Sequence, residues 1–351
     1  MKRIKTSSKA KDSRFINFLK KLVLTVFILL LCAAIAAAGA FEYMKQQGKK
    51  AVTAGVKQNA QYTEIVEYNG KKYKYNENMF AIAFLGIDRE EFVTAGESDF
   101  VGASDAMMVV AVDTDTGKAK VIALPREIMA EMNTYYDGTD EIRQQEVHQL
   151  YLAYSYGGGG ELSCQNAVET ISRVLYNVSI PYYYALDLDG IAALNDAIGG
   201  VVIKSRRDFS QYDIKSGEVV TLKGKMAQTY VRSRDTEEVS GSLERLDRQV
   251  QYVETFAMQV APAVMKDFTT LSRLYEVGSQ YSQTNLSLND ATYLASLLLS
   301  KGTVSFDTVT ISGRMESYED ETLENTVHAA FYPDEESLMQ TVLDVFYIRI
   351  G

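Results

Sequence analysis

Apolar positions in this chain recur with two periods, and the switches between them outline the elements. Met79 to Ile87, MFAIAFLGI, is a short apolar run bounded by polar residues, the pattern of a buried strand. Met107 to Val112 and Lys118 to Leu124 predict two further strands, joined through Asp113 to Gly117, DTDTG, as a tight hairpin. Tyr182 to Leu188, Val201 to Lys204, Val219 to Leu222 and Thr308 to Ser312 add more strands. A spacing of 3.6 residues predicts helices at Glu161 to Tyr176, Gly190 to Ile198, Ser242 to Met265, Leu288 to Ser300 and Glu335 to Tyr347. Strands alternating with helices imply one α/β domain, a mixed central sheet covered by helices on both faces. Before it, Ile65 to Tyr75 flanks Asn69-Gly70 with alternating aromatics, the signature of a type I′ hairpin.

Leu22 to Phe41 carries no charge, and about 20 residues suffice for a helix to cross a bilayer. We read it as one N-terminal transmembrane helix. A cleaved signal peptide is the rival reading, set aside because the run exceeds the usual apolar core of about 7–15 residues. Leu31 before Cys32 argues against lipoprotein processing. Eight basic residues against Asp12 give residues 1–21 a charge of +7, and leave −17 on the rest of a chain whose total is −10. The basic leader belongs in the cytoplasm, which places everything after Phe41 outside the cell. Residues 42–78 then read as an extracytoplasmic stalk, with apolar positions too sparse for a packed helix through Gln61, followed by the hairpin. Residues 79–351 form the domain, with Phe268 to Gly351 completing it. So acidic an exterior portion excludes nucleic acid as a partner.

Cys164 is the one cysteine beyond the apolar run, so that portion has no intrachain disulfide; its helical spacing with Val168, Ile171 and Leu175 predicts a buried core thiol. His148 and His328 are too few for a multi-histidine metal site.

The hairpin brings residues together. If Val112 faces Lys118, Ser104 and Asp105 lie across from Arg126 and Pro125. If Met79 to Ile87 runs parallel to Lys118 to Leu124, Asp88 emerges at the same sheet end, where α/β sheets bind ligands. An ordinary ion pair is the alternative for these three. The stretch TYVRSRDTEEVSGSLERLDRQVQYV, Thr229 to Val253, adds arginines. Tyr230 to Arg234 alternates like a strand end, aiming Arg232 and Arg234 to one side. Arg245, Arg248 and Gln249 share a helix face, opposite Leu246, Val250 and Val253. Salt bridges with Asp235, Glu237, Glu238, Glu244 and Asp247 are the competing explanation, and we adopt it for Arg248. Guanidinium forks suit phosphate, and two aspartates without histidine suit Mg2+. Gly157 to Gly160 precedes a helix and reads as a flexible entry loop rather than an anion-binding turn.

FLGIDR at Phe84, SDAMMVV at Ser104, LPRE at Leu124, AYSYGGG at Ala153, DAIGGV at Asp196, LKGKMAQTYVRSR at Leu222 and ERLDRQ at Glu244 resemble, in order and spacing, the LytR-CpsA-Psr family of bacterial cell-wall proteins. The match covers residues 79–265. The resemblance implies a membrane-anchored extracytoplasmic phosphotransferase. It would move an anionic glycopolymer, of teichoic acid or capsular polysaccharide type, from a polyprenyl pyrophosphate carrier to peptidoglycan, holding the lipid in an apolar tunnel. It assigns Asp88 and Asp105 to Mg2+ and, with Arg126 and Arg232, to catalysis. Arg126, Arg232, Arg234, Arg245 and Gln249 become the pyrophosphate-binding set. The alternative is a non-catalytic polyprenyl-pyrophosphate-binding regulator or sensor of wall synthesis; a third reading transfers to water. The chain departs from the family where Ala103 replaces the usual arginine, Glu127 an aspartate, and Gln149 and Tyr151 a lysine and an asparagine. Arg89 and His148 are the candidates to restore the charge missing at Ala103.

Overall fold

The run Met79–Ile87 is the strand around which both layers of the core assemble. The computed structural model describes residues 35–55, 65–92, 101–234, 241–300, 306–319 and 327–351. In chain order these form α1 (35–55), β1 (Ile65–Tyr68), β2 (Lys71–Tyr75), β3 (Met79–Ile87), β4 (Ser104–Asp113), β5 (Ala119–Leu124), β6 (Met129–Tyr135) and β7 (Ile142–Gln149). Then come α2 (Leu152–Tyr156), α3 (Gly160–Val174), β8 (Tyr182–Leu186), α4 (Leu188–Ala197), β9 (Val201–Lys204), β10 (Val219–Leu222), α5 (Lys225–Arg232) and α6 (Gly241–Lys266). The chain closes with α7 (Thr269–Ser279), β11 (Ser282–Thr284), α8 (Leu288–Leu299), β12 (Phe306–Thr310), β13 (Gly313–Glu319), β14 (Val327–Pro333), α9 (Glu335–Phe346) and β15 (Tyr347–Arg349).

The central sheet has the order β11-β8-β3-β4-β5-β12 and is mixed: β4 is antiparallel to both β3 and β5, while β3–β8 and β5–β12 are parallel. Period-two alternation sends the two faces of β3 into different cores. Met79, Ala81, Ala83, Leu85 and Ile87 pack with Cys164, Ala167 and Ile171 of α3 and with Val342 and Phe346 of α9. Phe80 and Ile82 pack with Val52 of α1 and with Tyr293 and Leu294 of α8. Met108, Val121 and Ala123 meet Leu246 of α6 on that second face. Burying each large apolar side chain contributes roughly 1.5–3 kcal/mol, so two filled faces hold the sheet from both sides. The segment after α6 supplies both sheet edges, β11 beside β8 and β12 beside β5.

Several elements differ from the sequence reading. Tyr230 to Arg232 is not a strand end but the last turn of α5, whose Ala227, Tyr230 and Val231 are buried at helical spacing; the alternation seen in TYVRSR is too short to outweigh it. Val112 pairs with Ala119 rather than Lys118, because the Asp113 amide donates to Lys118 O at 2.9 Å and the turn closes one residue earlier. The β6–β7 hairpin was not anticipated, since most of β7 is exposed and polar. Where sparse apolar positions suggested no packed helix, α1 continues to residue 55, and Val52 is fully buried. Gly48 makes that docking possible, because a Cβ there would lie 1.9 Å from Asn289 O. The Asn69-Gly70 turn forms as expected, with φ of 50° and 68° joining β1 to β2.

The expected leader and most of the expected transmembrane helix, residues 1–34, lie outside the described residues. Among the described residues, no helix is long and apolar enough to cross a membrane.

Candidate functional site

A cleft of about 220 Å³ opens between the sheet and helices α4, α5 and α6. Its floor is the even face of β3, Phe84 and Gly86, continued by Asp88 just past the strand, with Ala106 and Met108 of β4 beside it. Leu188, Ile191 and Leu194 of α4, Leu186 of β8, and Tyr252, Val253 and Phe256 of α6 make apolar walls. At one end stand Asp88, Asp105, Arg232, Arg245 and Gln249. One stripe of α6 spans both chemistries, from Arg245 through Gln249 to Val253 and Phe256, about 16 Å at a rise of about 1.5 Å per residue.

Asp105 reaches the cleft through a β-bulge. Gly86 pairs with Ala106 and Ile87 with Ser104, so Asp105 is the extra residue opposite β3. A regular strand would send Asp105 and Ala106 to opposite faces; the bulge lets both line one cleft. Gly86 eases that approach, as a Cβ there would lie 3.0 Å from the Ala106 methyl.

The charged groups interlock. Arg126 donates through Nη1 to Asp105 Oδ1 and through Nε to Glu127 Oε1 at 2.9 Å. Arg245 Nη1 donates to Asp105 Oδ2 at 3.1 Å, and Arg232 Nη2 to Asp88 Oδ1 at 2.9 Å. Arg245 is only 4% exposed, and its Nε has no hydrogen-bond partner. Burial lowers its pKa, and Arg126 and Arg234 lower it further against the opposing pull of Asp105. Burial also pulls Arg126 down, but Asp105 and Glu127 outweigh it and leave that guanidinium raised. The end of the cleft thus holds a buried guanidinium that shares its carboxylate with Arg126, a place where an incoming anion is stabilised.

Asp88, Asp105, Arg232, Arg245 and Gln249 are brought together as the sequence predicted. Arg126 joins them through Asp105 without lining the cleft, and Arg234 is exposed nearby, close enough to act on Arg245 and Tyr151. Gln249 Nε2 donates to Val231 O at 3.2 Å, tying α6 to α5. Val253, expected opposite the arginines, instead lines the cleft with them. Arg248 is buried as a structural clamp, but its partners are the carbonyls of Tyr230, Glu244 and Ser233 rather than carboxylates; Asp235, Glu237 and Glu238 lie outside the described residues.

Asp88 and Asp105 offer carboxylate oxygens at the cationic end of the cleft, hard donors of the kind Mg2+ takes. Among the described residues, no group of three or more His, Cys, Asp or Glu gathers as a metal site.

Other candidates fall away from the cleft. His148 faces Glu146 at 3.1 Å on β7 and packs its ring at a tilt against Tyr156. Cys164 is fully buried, and burial pushes its thiol up to about 12, as befits an inert core cysteine. The glycine run is anchored at Gly157 and Gly159 rather than an open loop: a Cβ on Gly157 would lie 2.3 Å from Ser163 Cα, and the Gly159 amide donates to Ser163 Oγ at 2.7 Å, while Gly158 and Gly160 are kept by their positive φ. The sequence reading passed over Tyr151 as a contact of Arg126; its position two residues after β7 carried no periodic signal.

The family model described as the LytR_cpsA_psr family matches residues 41–341. Over 212 residues the chain is 28% identical to the polyisoprenyl-teichoic acid–peptidoglycan teichoic acid transferase TagU of Halalkalibacterium halodurans, covering 60% of this chain and 62% of that protein. It is 25% identical over 272 residues to the transferase of the same description, TagV, of Bacillus subtilis, covering 75% and 62% respectively. The crystal structure of B. subtilis TagV matches with a TM-score of 0.59 at 25% identity, over 76% of this chain and 98% of that one. The chain spans about three fifths of the length of these two curated relatives.

Proposed function

The chain belongs to the LytR_cpsA_psr family, and from that premise we propose that it is an extracytoplasmic phosphotransferase that moves an anionic glycopolymer from a polyprenyl pyrophosphate carrier to peptidoglycan. The observation that carries this reading is the α6 stripe, which offers Arg245 and Gln249 at one end of a cleft and Val253 and Phe256 at the other. An amphiphile with an anionic head and a branched hydrocarbon tail matches that gradient. The names of the two transferase relatives support the cargo and the acceptor.

In this reading Arg245 and Arg232 bind the pyrophosphate, with Arg126 and Arg234 adding charge from behind and beside them. A peptidoglycan hydroxyl attacks the sugar-linked phosphorus, a new P–O bond forms, the bridging P–O bond breaks, and polyprenyl phosphate leaves. Asp88, engaged by one arginine, is better placed to take the hydroxyl proton than Asp105, both of whose oxygens are engaged by guanidinium groups. Asp88 and Asp105 would hold Mg2+, which when bound neutralises charge on the phosphate oxygens. The apolar run at Leu22 to Phe41 would tether the domain outside the membrane, as a single pass with its N-terminus in the cytoplasm.

Incubating the protein with lipid-linked glycan and peptidoglycan fragments tests this. A glycan–peptidoglycan conjugate is expected. Free glycan phosphate in its place would mean water is the acceptor, and bound lipid without either product would make the protein a sensor.

A further inference from the structure

We propose that Tyr151 is a positioning residue for the anion-binding end of the cleft, holding Arg126 against Asp105 with its ring and its peptide group together. The inference rests on the phosphotransferase reading and assigns a role to a residue that departs from the family pattern.

Four contacts converge on this residue. The Arg126 guanidinium lies over the Tyr151 ring with Cζ 4.3 Å from the centroid, within range for a cation–π contact. The Tyr151 amide donates to Arg126 O at 3.1 Å. Its carbonyl accepts from the Ser104 amide at 3.2 Å and from Ser104 Oγ at 3.3 Å. One residue therefore fixes both Arg126 and Ser104, the neighbour of Asp105 inside the bulge.

Glu127 completes the grip from the guanidinium edge. It is 4% exposed, its Oε1 accepts from Arg126 Nε at 2.9 Å, and its Oε2 is buried without a hydrogen-bond partner. With Nε on Glu127, Nη1 on Asp105 and one face on the ring, Arg126 has little rotational freedom left. Its charge is thereby held fixed behind Asp105, at the anionic-ligand end of the cleft. An asparagine at 151 could supply the peptide contacts but not the plate, so the aromatic ring is the part specific to this chain. Burial raises the Tyr151 phenol above its ordinary range, while Arg126 pulls it down and Asp105 and Glu127 push it up. The ring works as a neutral surface.

The test compares wild type, Tyr151→Phe and Tyr151→Leu in the full chain by two readouts. The first is the Arg126 Nε–H signal in arginine-detected NMR, which reports the order of the guanidinium directly. The second is transfer from lipid-linked glycan to peptidoglycan fragments. Tyr151→Phe is expected to keep a protected Nε–H signal and near wild-type transfer. Tyr151→Leu is expected to lose protection and to lower kcat about tenfold with little change in melting temperature. Unaltered signal and rate in Tyr151→Leu would overturn the proposal, as would a Tyr151→Phe defect equal to that of Tyr151→Leu. If wild type forms no conjugate, the functional reading fails, and the NMR comparison still decides whether Tyr151 orders Arg126.

Discussion

Asp105 and Arg245 form an ion pair of 3.1 Å in which the arginine is almost wholly buried, while the second oxygen of the same carboxylate is taken by Arg126. A carboxylate shared by two guanidiniums serves as their organiser. Asp105→Asn should therefore weaken both arginines at once. We expect transfer to fall at least 100-fold and stability by about 2–4 kcal/mol, because one buried guanidinium loses its charged partner. Steady-state transfer rates and thermal unfolding of the variant check both.

Gly86 and Ala106 face each other on the cleft floor with no room between them, a Cβ on Gly86 reaching 3.0 Å from the Ala106 methyl. Ala106→Leu should fill the passage between the charged end and the apolar walls. Binding of a polyprenyl pyrophosphate, measured by calorimetry, is expected to weaken at least tenfold, with inorganic pyrophosphate binding changed much less.

Arg248 invites confusion with the binding arginines but holds α5 to α6 through the carbonyls of Tyr230, Glu244 and Ser233. Arg248→Ala should destabilise the fold by about 2–4 kcal/mol, since it strips partners from a buried site. Denaturant unfolding of Arg248→Ala and Arg232→Ala separates the two roles: the first loses stability, and the second, whose arginine is exposed, loses transfer instead.

Asp187 caps α4 by accepting from the Gly190 amide at 2.8 Å, and burial raises its carboxyl to about 6. A raised carboxyl binds its proton more tightly in the folded chain than in the unfolded one. Its stabilising contribution is complete below the unfolded value near 4 and is lost as pH climbs through about 6. Asp187→Asn keeps a capping oxygen and removes the buried charge. We expect a gain of about 1–3 kcal/mol at pH 7.5 that shrinks toward zero at pH 4.5, read from denaturant unfolding at the two pH values.

Much of this was legible in the chain before any coordinates. The strand Met79–Ile87 was readable because nine residues without a charge must be buried on both faces, and α6 because its apolar spacing persists over seven turns. Asp88 and Asp105 could be placed at one sheet end from strand direction alone. The bulge at Asp105 was not readable, since nothing in SDAMMVV marks the residue that drops out of register. Arg232 was assigned a strand because the alternating stretch was read without the preceding KMAQ, whose spacing belongs to a helix. Tyr151 stands out in the sequence as a departure from the family pattern, but its contact with Arg126 is not legible there, because a cation–π contact depends on where β7 ends relative to Arg126, a tertiary relationship with no sequence period. The β6–β7 hairpin was missed because its outer strand is held by backbone pairing rather than by an apolar face.

The central claim is that one cleft binds the anionic head of a carrier at Arg245 and its hydrocarbon tail along α6. Titrating farnesyl pyrophosphate and farnesol into wild type and Arg245→Ala tests it most directly. We expect wild type to prefer the pyrophosphate strongly. Arg245→Ala should lose about 10- to 100-fold in affinity for it while binding the alcohol as before. Equal affinities of the two proteins for farnesyl pyrophosphate would contradict the account.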